Sequence, residues 1–411
     1  MMNIKTLWKT LGPGMLYAGA AIGVSHLVQS TRAGAQYGHT LWWIILFSNF
    51  IKYPFFEFGP RYASATGESL LHGYKKLGNW ALLIYIIMTI LTMFAIQAAV
   101  TVVTAGLIEN MFNLGLSAPV WSVILMLVCA AILLFGRYHL LNATVKWIIL
   151  TLTVTTLLSL IMAKKPITNT FSMPDFSWTN QLDILFVVAL MGWMPAPIDL
   201  AVWHSTWSNA QDADQAEKTT FKNQMLDFNI GYIGTAIMAV CFMGLGAIVM
   251  HGSGTTFSDS AHGFAKQLIE LFTSTIGSWS YPIISIAAFC TMLSTTITLL
   301  DAFPRSLRTS GNLLLNQKET HRQYNVWLLI TIIGTSLVLF FFMKNMKGMV
   351  DLATTISFVV APILAVLNTI VIQSKQVPAQ YKPSKMLMTH AVVGILFLSL
   401  FSGYYIWIRF F

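Results

Sequence analysis

LMGWMPAPIDLAVWHS, residues 190–205, is apolar enough to lie in hydrocarbon, yet it carries Pro195 and Pro197 two residues apart and Asp199 two residues further on. Proline has no N–H, so neither ring nitrogen can donate to the carbonyls of Met191 and Trp193, four residues back. A helix through this stretch must break, and the freed carbonyls must face something polar. GPGMLYAGAAIGVSHLVQSTRAGAQYG, residues 12–38, is comparable: Gly12, Gly14, Gly19, Gly23 and Gly34 punctuate it, with Ser25 and His26 at its middle.

These two stretches are the first and sixth of eleven apolar runs of about 20 residues, at 12–34, 41–58, 80–108, 118–136, 143–163, 183–205, 228–250, 280–302, 325–343, 349–372 and 388–408. The 411-residue chain is 56% hydrophobic and 9% charged, where soluble domains carry about 25% charged residues. That excludes a soluble protein, and the aromatic content excludes a disordered one. The expected class is an all-α integral membrane protein, because backbone in hydrocarbon must satisfy its own hydrogen bonds. Cys129, Cys241 and Cys290 lie scattered in apolar runs, which fits neither a disulfide framework nor a zinc site. Breaks in the first and sixth of ten core spans are the pattern of two five-helix inverted repeats with a site at mid-membrane. The expected organisation is one membrane domain, with repeats at 1–166 and 167–375 and an eleventh helix at 376–411. The first span reads as a helix rather than a signal peptide, since its core is dense in glycine.

The net charge of +9 comes from residues spread through short loops, which points to membrane orientation rather than nucleic acid. Fifteen Lys and Arg residues fall on the side of the N-terminus and six on the other, with Arg32, Lys52 and Lys146 inside spans. The positive-inside bias then predicts a multi-pass protein of the plasma (inner) membrane, with its N-terminus cytoplasmic and its C-terminus outside.

Three further motifs carry a resemblance. Gly12-Pro13 is followed, past the first break, by Ala33-Gly34-Ala35-Gln36-Tyr37-Gly38; Ala65-Thr66-Gly67-Glu68-Ser69-Leu70 ends the second span; and Ser294-Thr295-Thr296-Ile297-Thr298 lies in the eighth. Together these resemble the natural resistance-associated macrophage protein family of proton-coupled divalent-metal transporters. The resemblance implies a leucine-transporter-type 5+5 inverted repeat with one extra helix. It also implies secondary active transport, with a divalent cation of the Mn, Fe or Mg type as cargo. The substrate motifs differ, however. The family's metal-binding Asp-Pro-Gly-Asn lies over Gly23-Val24-Ser25-His26, replacing the Asp by glycine and the Asn by histidine. Its Met-Pro-His lies over Met194-Pro195-Ala196 in one register and Ala196-Pro197-Ile198 in another, and only the first keeps a thioether. The acids of its third helix, linked to proton movement, have no counterpart between Gln97 and Ile108.

The residues expected to bind substrate are Gly23, Ser25, His26, Met191, Trp193, Met194, Ala196 and Asp199, with Met191 and Trp193 offering carbonyls. For a cation, His26, Met194 and Asp199 form a chemically acceptable set of imidazole, thioether and carboxylate. Asp199 is equally suited to capping the helix that follows it. A small anion such as bicarbonate or chloride is the alternative, because a lost carboxylate and the free N–H groups of half-helices favour negative charge. Arg32 would then attract anions, or simply pair with an acid. His26 and His204 are the candidate proton relays, His204 also fitting a hydrogen bond at its helix end. Charge inside spans is costly, so each such residue needs a partner. Glu57 with Arg61 and Asp301 with Arg305 stand at i and i+4, Asp227 and Asp351 open helices, and Lys52 is expected to snorkel. No Walker-type glycine loop and no nucleophile–base pair is present, so neither an enzyme nor a cofactor is expected. The expected partners are a small inorganic ion, protons and the bilayer.

Overall fold

The computed structural model describes residues 12–135, 138–163, 176–214, 219–253 and 256–411. Lys5, Lys9, Arg137, Lys164, Lys165 and Lys218, six of the charges used for orientation, lie outside the described residues, as do the side chains of His139 and Lys146.

Among the described residues the chain forms fifteen α-helices. The first span is α1 (Pro13–Ala21), a bend at Ile22 and Gly23, a π-helical stretch at Ser25–Ser30, and α2 (Thr31–Tyr37). The second span is α3 (Trp42–Thr66), closed by Gly67 in the left-handed conformation, the usual glycine stop. A short helix, α4 (Leu70–Leu77), leads to α5 (Asn79–Phe112), and α6 (Ala118–Leu134) and α7 (Tyr138–Met162) complete five spans. The sixth span is split into α8 (Gln181–Gly192) and α9 (Asp199–Asp214). Then follow α10 (Phe221–Val249), α11 (Ala261–Ile276), α12 (Tyr281–Leu315), α13 (His321–Phe341), α14 (Met346–Gln373) and α15 (Lys385–Phe410).

Each of the eleven apolar runs has its helix, and the polar caps appear where side-chain oxygens stand before an apolar segment. Asn180, Thr220, Ser260, Asn345 and Ser384 each accept from a backbone N–H in the first turn of the following helix. A search for runs of spanning length passes over α4 and α11, which are amphipathic rather than uniformly apolar. In α11 one face is buried through Phe264, Ala265, Leu268, Ile269 and Phe272. α4 and α11 follow the second and seventh spans, so each stands at the same point of its run of five.

α1 has no capping side chain of its own. Its leading N–H groups at Gly12 and Gly14 donate instead to the Asp227 carboxylate of α10, at 3.1 and 2.6 Å. Asp227 therefore caps a neighbouring span rather than merely opening its own helix. Glycine makes this approach possible, since a Cβ at Gly14 would stand 2.1 Å from the Asp227 carbonyl oxygen. At the other end of the same helix pair, a Cβ at Gly34 would stand 1.9 Å from the carbonyl of Met243. α10 thus runs backbone-close along both halves of the broken first span.

α12 packs on α5, α9 on α3, and α14 on both α5 and α8, which places the two broken spans at the centre of the bundle. α13 and α15 lie outside, showing Leu329, Ile333, Leu337, Leu396 and Leu400, each at least half exposed. Six of the helices are long and apolar enough to cross a membrane. Such outward faces are satisfied only by lipid.

Candidate functional site

The first break falls at Ile22 and Gly23. The N–H of Gly23 turns back to the carbonyl of Ala21 at 2.9 Å, and helical bonding resumes with His26 and Leu27 donating to the carbonyl of Gly23. In the second break, six residues separate the end of α8 from the start of α9. The two breaks meet across a small cavity of ≈ 20 Å³, room for about one water-sized particle. α1 contributes Ala20 and Ala21, the first break Val24 and Ser25, and the second break Trp193, Ala196 and Pro197. Ile96 and Val100 of α5 and Thr295 and Leu299 of α12 complete the lining.

Of the expected substrate residues, Ser25, Trp193 and Ala196 line this cavity. Gly23 sits at its edge against α12, where a Cβ would meet Thr295 Oγ1 at 3.0 Å. The space beside that backbone is thus already filled by a threonine. Trp193 is held in place by donating from Nε1 to Ser357 Oγ at 2.7 Å.

None of the proposed cation ligands, His26, Met194 and Asp199, is among the residues lining the cavity. His26 is fully buried and turned toward α10, with Nε2 2.9 Å from the carbonyl of Thr235 and Nδ1 2.7 Å from Ser25 Oγ. Both ring nitrogens are engaged within the protein. Met194 is fully buried but absent from the lining, where Ala196 stands instead. Asp199 is buried at the first turn of α9. Its carboxylate lies near the Tyr74 and Tyr85 phenols. Among the described residues no group of three His, Cys, Asp or Glu could hold a metal ion together.

Of the two carbonyls freed by Pro195 and Pro197, that of Met191 is taken. Lys52 Nζ of α3 donates to Met191 O at 2.5 Å and Gly192 O at 3.0 Å. Ser48, one turn earlier on the same face, donates to Met194 O at 2.8 Å. Ser25 Oγ lies 3.4 Å from Pro195 O. Lys52 is fully buried and does not snorkel, because a helix end inside the bundle offers its ammonium better acceptors than a distant interface does. Reading the sequence by the charges of each span does not connect Lys52 with Met191. The available signal was the pair Ser48 and Lys52, i and i+4, a polar stripe in an apolar helix.

Polar and aromatic contacts tie the two halves of the first span to other helices. Beyond the first break, Arg32 of α2 forms a two-pronged pair with Asp351 of α14, at 2.7 and 3.1 Å. Gln29 also donates to Asp351, at 2.9 Å. Tyr37 donates to Asp183 of α8 at 2.9 Å. Arg32 and Asp351, read separately in the sequence, are each other's partners. On the α1 side Tyr17, Phe56, Phe228 and Tyr232 pack edge-on and stacked, with His204 against Tyr17 at 5.8 Å. His204 Nδ1 has no hydrogen-bond partner among the described residues, and no hydrogen bond joins His204 to His26. Elsewhere Glu57 pairs with Arg61 and Asp301 with Arg305, as their spacing indicates.

The fold is similar to that of the Eremococcus coleocola manganese transporter in complex with an aromatic bis-isothiourea compound. The TM-score is 0.72 at 15% identity, covering 97% of this chain and 86% of that one. It is similar also to MhsT in complex with L-phenylalanine, with TM-score 0.64, 14% identity and coverage of 95% and 98%. Both likenesses bear on the fold. In sequence, the chain is 35% identical over 408 residues to the uncharacterized Pasteurella multocida protein PM0681, spanning 97% of this chain and 93% of that one. A 115-residue segment, 28% of this chain and 27% of its relative, is 29% identical to the divalent metal cation transporter MntH of Mycobacterium tuberculosis. Residues 14–408 match the family described as natural resistance-associated macrophage protein-like. The chain therefore belongs to the Nramp family, an all-helical membrane protein whose two broken spans meet at a small cavity.

Proposed function

We propose that this chain is a secondary active transporter that carries one small ion at a time by alternating access. One group of helices rocks against the other around the junction of the two breaks. The observation that carries this reading is the meeting of both breaks at a cavity of single-ion size; we take the Arg32–Asp351 pair on one half of the first span and the aromatic cluster around Tyr17 on the other as the contacts that open in turn. Membership in the Nramp family supports a metal cation of the Mn, Fe or Mg type as cargo, moved together with protons. Ser25, Trp193, Ala196 and Gly23 are the residues we place against it, and His26, Met191, Met194 and Asp199 act from behind that lining. The two repeats would be residues 1–166 and 167–375 with 376–411 appended. The placement of α4 and α11 at matching points supports that division. The protein would sit in the plasma membrane with its N-terminus cytoplasmic.

A second reading is favoured by one specific observation. None of the lining residues is acidic, and a buried lysine, Lys52, stands at the second break. A dication needs negative charge to offset its dehydration, whereas a small anion such as chloride or bicarbonate does not. Proteoliposome flux separates the two. The metal reading predicts saturable Mn²⁺ or Mg²⁺ uptake, raised by an inward proton gradient. The anion reading predicts chloride or bicarbonate flux indifferent to divalent ions. Reconstituted, folded protein that moves none of these would overturn the transporter reading itself.

A further inference from the structure

A helix that stops inside a membrane protein leaves carbonyl oxygens carrying partial negative charge, with no water to answer them. α8 stops in this way at Gly192. Its terminal acceptors, Met191 O and Gly192 O, both receive Lys52 Nζ, and Ser48 Oγ donates to the carbonyl of Met194. Lys52 is wholly buried, and none of the ion pairs among the described residues includes it. Its Nζ is therefore met by backbone carbonyls rather than by a carboxylate. That is the chemistry by which carbonyl-lined sites hold a bare monovalent cation.

We propose that Lys52 is a tethered monovalent cation. Its ammonium fills a cation site formed by the Met191 and Gly192 carbonyls, so the chain itself supplies the charge that a bound alkali ion would otherwise bring to the second break. Lys52 is thus a positioning residue that holds α8 and the 193–198 segment in their interrupted form. The inference does not depend on which ion the neighbouring cavity carries.

Two consequences follow. The native protein needs no small cation at this position, and shortening the side chain creates a vacancy with acceptors already in place. The test is thermal unfolding of purified protein in lipid nanodiscs at constant ionic strength. The bulky N-methylglucamine cation is exchanged stepwise for Na⁺, K⁺ or methylammonium. Lys52→Ala is expected to unfold at a lower temperature than the native chain in N-methylglucamine. At least one small cation should raise that temperature saturably, by about 2 °C or more for a filled site. The native protein should not respond to the exchange. Lys52→Met, whose apolar chain occupies the space without charge, should be destabilised and not rescued. Lys52→Ser, whose short side chain also leaves the space open, serves as the companion should Lys52→Ala fail to fold. Saturable small-cation stabilisation in either variant, absent from the native protein, supports the proposal. An equal response in the native chain, no response in either variant, or a Lys52→Met protein as stable as the native one overturns it.

Discussion

Thr235 and Ser25 hold the imidazole of His26 from its two sides, and this single residue shows how far side-chain chemistry can be read before a fold is known. His26 was legible as a mid-membrane histidine beside a break. Its partner Thr235, 209 positions away, was not, because no local pattern encodes a contact between spans. The same holds for Lys52, whose acceptor Met191 is 139 positions distant. Replacing His26 by Leu removes its bonds to the Thr235 carbonyl and to the Ser25 hydroxyl, which still donates to Ala21 O at 2.8 Å, each lost bond costing about 0.5–1.5 kcal/mol. The thermal midpoint of His26→Leu should fall accordingly, and a midpoint equal to the native one would show that these bonds are not made. Should protons be coupled to transport, His26→Gln is expected to fold yet lose stimulation by a pH gradient. Flux with and without the gradient checks this.

At the scale of elements, the proline pair and the glycine-rich first span predicted both interruptions, since missing donors and absent side chains are local properties. The bend itself falls at Ile22 and Gly23 rather than at the polar pair Ser25 and His26, where a π-helical turn instead absorbs the irregularity. Glycines serve a second purpose that spacing alone did not separate from the first. Gly14 and Gly34 let α10 approach both half-helices. Gly34→Ala would drive a methyl into the Met243 carbonyl and should cost about 1–3 kcal/mol by overpacking, visible as a lower unfolding temperature. Gly234, where an added Cβ would meet nothing within 4 Å, is the control position for alanine. The contacts on each half of the first span can be opened separately. Asp351→Asn leaves Arg32 without its counter-charge and should speed maleimide labelling of a cysteine placed at Ala21 from the α2 side. Asp227→Asn, which weakens the cap on Gly12 and Gly14, should speed labelling from the α1 side. Unchanged rates in both variants would mean that neither contact governs access.

For the molecule as a whole, composition and run length were enough for an all-helical membrane protein with eleven spans, and the paired breaks were enough for its internal repeat. The content of the site was less legible. Ala196 but not Met194 is among the residues lining the cavity, Asp199 lies toward Tyr74 and Tyr85, and the carbonyls at 191 and 192 are occupied. Each of these depends on how helices far apart in the chain rotate against one another. What joins the scales is the claim that transport passes through the small space between the two breaks. The most direct test fills that space. Ala196→Val adds two methyl groups to a cavity of ≈ 20 Å³, and flux through proteoliposomes is compared with that of the native chain for Mn²⁺, Mg²⁺, chloride and bicarbonate. The account predicts a variant that folds and reconstitutes normally but carries whichever ion the native protein moves at no more than about a tenth of the native rate, the loss expected when filling the space costs about 1.4 kcal/mol or more in the transport barrier. Undiminished flux through a folded Ala196→Val protein would contradict it.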